Sequence, residues 1–244
     1  MIKLVNLTKN YGKLTAVNNI NLDVPQGQIF GFLGPNGAGK TTTIRILAGL
    51  LQPTNGTAVI GGFDVQKEPL KAKFITGFIP DRPFLYEKLT AVEFMQFVAR
   101  LYDMTDSAGM VKELLDMFGL TDWENELIEN FSHGMKQRLV MASALLHRPK
   151  VLVVDEPMVG LDPRGARLVK DILRDLASSG VTVFMSTHTL EIVEQVCTRV
   201  AIIHKGEIIA EGSVADLGRM ALMEHSHLEP IFLKLTGGDE TLER

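Results

Sequence analysis

The 244-residue chain has a single cysteine, Cys197, a single tryptophan, no excess of one charge and no long apolar run. One thiol cannot form an intrachain disulfide, so packing alone must hold the fold, which suits a reducing compartment. Cys197 falls in an apolar-periodic stretch, 192–197, and is expected in the core rather than as a nucleophile. No run of about 18 apolar residues occurs, the length a bilayer-spanning helix needs. The N-terminus passes from Met1 straight into a strand-like alternation, without the apolar run and cleavage site of a secretory leader. With 25 basic and 29 acidic residues the formal net charge is −4. That balance excludes a chain-wide electrostatic footprint for nucleic acid and leaves open only a local basic patch. Low-complexity segments and internal repeats are absent as well.

What is present is 45% hydrophobic, enough for one large globular domain or two small lobes. Up to about residue 80, short β-type segments alternate with Gly and Pro. Residues 2–7, 16–24, 28–33, 57–60 and 74–79 read as strands, and the one clear helix follows Lys40. From about 90 to 148 the apolar period becomes helical, as in Val92, Phe94, Met95, Phe97, Val98, Leu101 and Tyr102. These stripes read as core. Beyond 150 strand and helix alternate again: 151–155, 165–177, 181–186, 190–196 and 200–204. Alternating βα units imply a mostly parallel sheet covered on both faces. The expectation is an α/β core interrupted by a helical insertion at about 85–150. One domain spans 1–220, and 221–244 forms a short tail with one apolar stretch, 231–235, suited to a docking helix.

GPNGAGKT at 34–41 matches the phosphate-loop pattern GxxxxGK[ST] at every fixed position, between a strand and a helix. The ligand class is a nucleoside triphosphate with magnesium. Glycines at 34, 37 and 39 free the backbone to turn its N–H groups toward phosphate, and the next helix presents its N-terminus to the same anion. Lys40 is expected at the β- and γ-phosphates and Thr41 on magnesium. Pro35, Asn36, Ala38 and Thr42 complete the binding stretch. A second element is the apolar run 151–154 ending in Asp155-Glu156-Pro157. Two carboxylates at the end of a buried strand are costly unless something satisfies them. Asp155 fits the magnesium side and Glu156 the group that orients and deprotonates an attacking water. The alternative is a pair that merely caps the next helix. A third apolar strand ends in Ser186-Thr187-His188, which puts His188 where ligands bind, beyond the carboxyl ends of parallel strands.

The run 131–138, FSHGMKQR, resembles the LSGGQ-type signature of ATP-binding-cassette (ABC) ATPases. The order of phosphate loop, signature, Asp-Glu strand, Gly160-Leu161-Asp162 and His188 is similar to that family over residues 1 to about 215. The resemblance implies a P-loop NTPase (RecA-like) core with an N-terminal antiparallel β subdomain and an inserted α-helical subdomain. It implies that Tyr11 stacks on adenine with Val17 nearby, and that Asp162 sits in a loop bridging two active sites. Ser132 is a good N-cap, so the helix starting near Gly134 offers a second anion-binding end. The family resolves two such ends in one chain by head-to-tail dimerisation, with Ser132 and Gly134 of one copy facing the ATP of the other. Two departures stand out. His133 and Met135 replace the commoner Gly and Gln, and Asp81 replaces the Gln that touches magnesium and the attacking water. The GMKQR run resembles the branch serving exporter-type permeases.

Two functions from different classes follow. One is the ATPase subunit of a membrane transporter, at the cytoplasmic face of the membrane, with a separate permease received near Phe84, Leu85 and Tyr86, residues that could equally be core. The other is a soluble cassette ATPase acting on nucleic acid or the ribosome. Such proteins resemble this one in their motifs, but this chain has one cassette and no sustained heptads. A phosphate-loop kinase would leave the signature and His188 unexplained.

Overall fold

The computed structural model describes residues 1–223 and 226–237. Two sheets organise it. The first is antiparallel: β1 (Ile2–Tyr11), β2 (Leu14–Val24), β4 (Asn55–Ile60) and β5 (Phe63–Asp64), in the order β2-β1-β4-β5. The second has six strands: β3 (Ile29–Leu33), β6 (Thr76–Ile79), β7 (Val151–Asp155), β8 (Thr182–Thr187), β9 (Arg199–His204) and β10 (Glu207–Gly212), in the order β10-β9-β3-β8-β7-β6. All its pairings are parallel except β10 with β9. Every residue of β3, β7 and β8 is buried, which is why these segments read as unbroken apolar runs rather than alternating ones.

Side-chain alternation divides that sheet between two cores. Phe30, Phe32, Val151, Val153 and Phe184 face the antiparallel sheet and helix α1 (Lys40–Leu47), with the Phe30 and Phe184 rings 5.7 Å apart. Leu152, Val154, Val183 and Met185 face the other way. They pack with helices α3 (Ala91–Leu101), α4 (Ala108–Met117), α5 (His133–Leu145) and α6 (Pro163–Ser178). Helices α3 to α5 leave the sheet after β6 and return to it at β7. A capping box starts α3: Thr90 accepts from the Glu93 N–H while Glu93 accepts from the Thr90 N–H.

Several local expectations need correction. Phe74 is not in a strand. It ends helix α2 (Pro69–Phe74), a second helix in the first 80 residues, and its ring meets Tyr102 edge-on at 5.9 Å. Pro69 fixes the first turn of α2, and β6 begins only at Thr76. Strand β10 and helix α8 (Val214–Met220) were not anticipated. The apolar stretch 231–235 lies in helix α9 (Leu228–Thr236), packed beside α8 and helix α7 (Leu190–Val196). The polar residues 238–244 lie outside the described residues. Cys197 follows α7 and packs in the core, where burial pushes its thiol up to about 12.

Candidate functional site

Register brings the site together. Asp155, the last residue of β7, pairs with Ser186 of β8, so the residues just past each strand share one edge of the sheet. Glu156 follows with φ +50, a left-handed backbone that non-glycine residues adopt at a cost. Its carboxylate accepts from the Thr187 hydroxyl at 3.0 Å and the His188 backbone N–H at 3.1 Å, and lies 2.7 Å from His188 Nδ1. The side chain of Glu156 is 16% exposed and that of His188 58%. Asp155 is buried and accepts from the Ser186 hydroxyl. Burial raises its proton affinity, the Ser186 hydrogen bond opposes this, Asp81 and Glu156 add to it, and Lys40 counteracts it.

The phosphate loop leaves β3 and enters α1 beside this edge. Lys40 is buried, with Nζ donating to the Gly34 carbonyl at 2.6 Å and to that of Pro35 at 3.2 Å. Burial lowers its proton affinity, against the pull of the Glu156 and Asp155 charges. Two glycines are needed for different reasons. Gly39 has φ +111, and a Cβ there would lie 2.4 Å from the Ala16 carbonyl. Gly34 has no such backbone angle but passes so close to β9 that a Cβ would meet the Ile203 carbonyl at 2.3 Å. Thr41 presents its hydroxyl at the surface at the start of α1, beside the free N–H groups of the first turn.

Gly39, Lys40, Thr41, Asp155, Glu156 and His188 line one open cleft of about 610 Å³, which also contains Tyr11, Pro35, Asn36, Gly37, Thr42 and Asp81. Six sequence-derived residues, Val17, Gly34, Ala38, Ser132, Gly134 and Asp162, are not among those that line it. Val17 is fully buried directly behind Gly39. Lys9 of β1 pairs with Val17 and Asn10 with Thr15, so Ala16 is an extra residue that breaks the alternation of β2. Leu14 and Ala16 line the cleft. Ala38 is buried beneath the loop. Asp162 caps α6, accepting from the Gly165 N–H at 2.7 Å. Arg82 and Val159 also line the cleft and were missed; neither belongs to a sequence motif.

The signature forms a helix start of its own. Ser132 caps α5, its hydroxyl accepting from the Met135 N–H at 3.3 Å. His133 packs against Gly160 so closely that a Cβ on that glycine would lie 2.1 Å from the imidazole. The carbonyl of Gly160 lies near Gly134, so the signature and the 160–162 loop are neighbours. Of the three residues expected near the permease, Phe84 and Tyr86 are exposed while Leu85 packs on the core.

A family model described as ABC transporter matches residues 17–159. The chain belongs to the ABC transporter family. The linearmycin resistance ATP-binding protein LnrL of Bacillus subtilis (strain 168) is 40% identical over 219 residues, which cover 89% of this chain and 70% of the relative. The bacitracin transport ATP-binding protein BcrA of Enterococcus faecalis is 38% identical over 218 residues, 89% of this chain and 70% of that protein. A solved ATP-binding subunit of an ABC transporter superposes with a TM-score of 0.90 at 28% identity, covering 96% of this chain and 99% of its own. A dimeric cassette bound to ADP and Pi in a post-hydrolysis state gives 0.81 at 27% identity, covering 88% and 99%. This ABC cassette therefore binds and hydrolyses ATP as the ATP-binding subunit of a transporter. Among the described residues no helix is long and apolar enough to cross a membrane.

Proposed function

We propose that the cleft holds Mg-ATP between two copies of the chain and that its hydrolysis resets a separate, exporter-type permease at the cytoplasmic face of the membrane. The observation that carries this reading is the Glu156–His188 contact of 2.7 Å at the strand edge that also holds Asp155 and the phosphate loop. Glu156 is the general base for water, and His188, held by Glu156, is free to contact the γ-phosphate on its exposed side. Lys40 exchanges its loop carbonyls for the β- and γ-phosphates, and Tyr11, 46% exposed, offers the ring face for adenine.

The donor set fits magnesium. No group of three or more His, Cys, Asp or Glu could hold a metal among the described residues, as expected for an ion that takes one or two protein oxygens and completes its shell with phosphate and water. The Thr41 hydroxyl and, directly or through water, the Asp81 carboxylate would be those oxygens, with Asp155 in the second sphere. Once bound, magnesium would neutralise phosphate charge. Ser132 and Gly134, at the start of α5, receive the γ-phosphate of the second copy's ATP, with Asp162 in the loop between the two sites. Substitution Asp81→Gln is expected to alter ATPase and transport together; a variant unchanged in both refutes the magnesium-side role of Asp81.

We further propose one domain over 1–220, with the helical subdomain at about 85–150, and exposed Phe84 and Tyr86 on the permease side. Relatives named for linearmycin resistance and bacitracin transport support export as the direction. Purification from native membranes in mild detergent tests the reading. A stoichiometric multi-span membrane protein should co-purify, whereas recovery with ribosomes or nucleic acid and no membrane protein would overturn it.

A further inference from the structure

We infer that Gln137 is a positioning residue that ties the Asp81 loop to the helix whose start faces the second copy's ATP. The inference rests on the role proposed above for Asp81. Gln137 lies on α5, within the signature-like run 131–138, and is completely buried; the other buried residues of that helix are Leu139, Val140, Met141, Ala142, Ala144 and Leu145. Packing at this point asks for volume, which a leucine or methionine would supply as well as an amide. The amide instead reaches across to the segment after β6. Its Nε2 donates to the Pro80 carbonyl at 3.5 Å, long for such a bond, and its Oε1 is buried with no partner among the described residues.

A buried amide with one weak bond and one empty acceptor is costly for the fold. It becomes intelligible if the same amide serves two positions of the loop. Pro80 immediately precedes Asp81, which lines the cleft with Asp155, Glu156 and His188. When Asp81 shifts toward a bound nucleotide, the Pro80 carbonyl and the following N–H groups move past the amide of Gln137. The free Oε1 then gains a donor, and α5 follows the loop. Ser132, at the N-terminus of α5, moves with it. Occupancy of one ATP site is in this way passed to the residues that complete the other.

The test is steady-state ATPase kinetics on the full chain with Gln137→Leu, with Gln137→Met as a second volume-conserving variant, and each combined with Asp81→Ala. The expected result for Gln137→Leu is a kcat lowered about tenfold, a KM for ATP within roughly twofold, and a thermal midpoint unchanged or higher because the unpaired amide is gone. The double variant should be no slower than Asp81→Ala alone. A kcat that falls only with the folded fraction, or losses that multiply in the double variant, overturns the inference. If Asp81→Ala is impaired and both Gln137 variants turn over like the parent, the inference alone fails. If Asp81→Ala itself has parental turnover, the reading of Asp81 fails and this inference with it.

Discussion

Replacing Glu156 by glutamine isolates one atom's worth of chemistry. The backbone at Glu156 keeps φ near +50, so glutamine carries the same strain, and an amide oxygen can still accept from Thr187 or from the His188 N–H. The thermal midpoint should therefore move by no more than a few degrees, the shift of about 1 kcal/mol in a domain of this size. What is lost is the carboxylate that takes a proton from water. A positioned general base contributes roughly 10²–10⁴-fold, or about 3–5 kcal/mol of barrier, and kcat should fall by that factor. His188→Ala removes the 2.7 Å partner but leaves Glu156 held by two other donors, so its loss should be smaller, roughly 10–100-fold. Because the two side chains act as one unit, the double variant should be little slower than Glu156→Gln alone. Phosphate release under steady-state and single-turnover conditions separates chemistry from product release. A Glu156→Gln protein within threefold or so of the parent in single turnover would refute the assignment of the base. Fully multiplicative losses in the double variant would refute its coupling to His188.

Two further perturbations probe the frame. In Gly160→Ala the new methyl meets the His133 ring at a backbone angle of φ +77, which should cost about 1–3 kcal/mol in urea unfolding; His133→Gly should relieve the contact but not the strain, and strict additivity of the pair would contradict that. In His147→Phe the stack on Tyr102 at 3.9 Å is kept while two buried ring nitrogens, whose one contact is a weak approach to the Thr76 backbone, are removed, a gain of about 1–3 kcal/mol. Burial lowers the proton affinity of His147, against a weaker pull from the Thr76 backbone, so the fold prefers the neutral ring. Stability is thus retained above the ordinary histidine range and lost as pH falls below it, and the benefit of His147→Phe should be larger at about pH 5 than at about pH 8. An equal benefit at both would exclude His147 as the titrating group.

Local chemistry made much of the site legible. The phosphate loop, the Asp155-Glu156 strand end and the Ser132 cap each announce themselves within a few residues, because glycine, a buried carboxylate and a cap have specific local causes. The closeness of Glu156 and His188, 32 positions apart, depended on the parallel register of β7 and β8, which no local pattern encodes. The bulge at Ala16, which turns Val17 inward while Leu14 and Ala16 line the cleft, leaves no mark in the sequence, because period-two reasoning has no means of detecting an extra residue. Helix α2 is only six residues long, too short for a helical period to show, so Phe74 passed for a strand residue. Strand β10 pairs antiparallel at the sheet edge after the Lys205-Gly206 turn, and Ile208-Ile209 interrupts the clean alternation that would have marked it as a strand. The orphaned amide of Gln137 has no sequence signal, since a signature-motif glutamine looks the same whether solvated or buried.

The claim on which the rest depends is that ATP is held between two copies, the phosphate loop of one against Ser132 of the other. Light scattering of Glu156→Gln with and without Mg-ATP, and of the same protein carrying Ser132→Arg, tests it directly. The account predicts a doubling of mass only with Mg-ATP, lost in Ser132→Arg while that variant stays folded. A protein that remains monomeric at saturating ATP, or a dimer indifferent to Ser132→Arg, would contradict it.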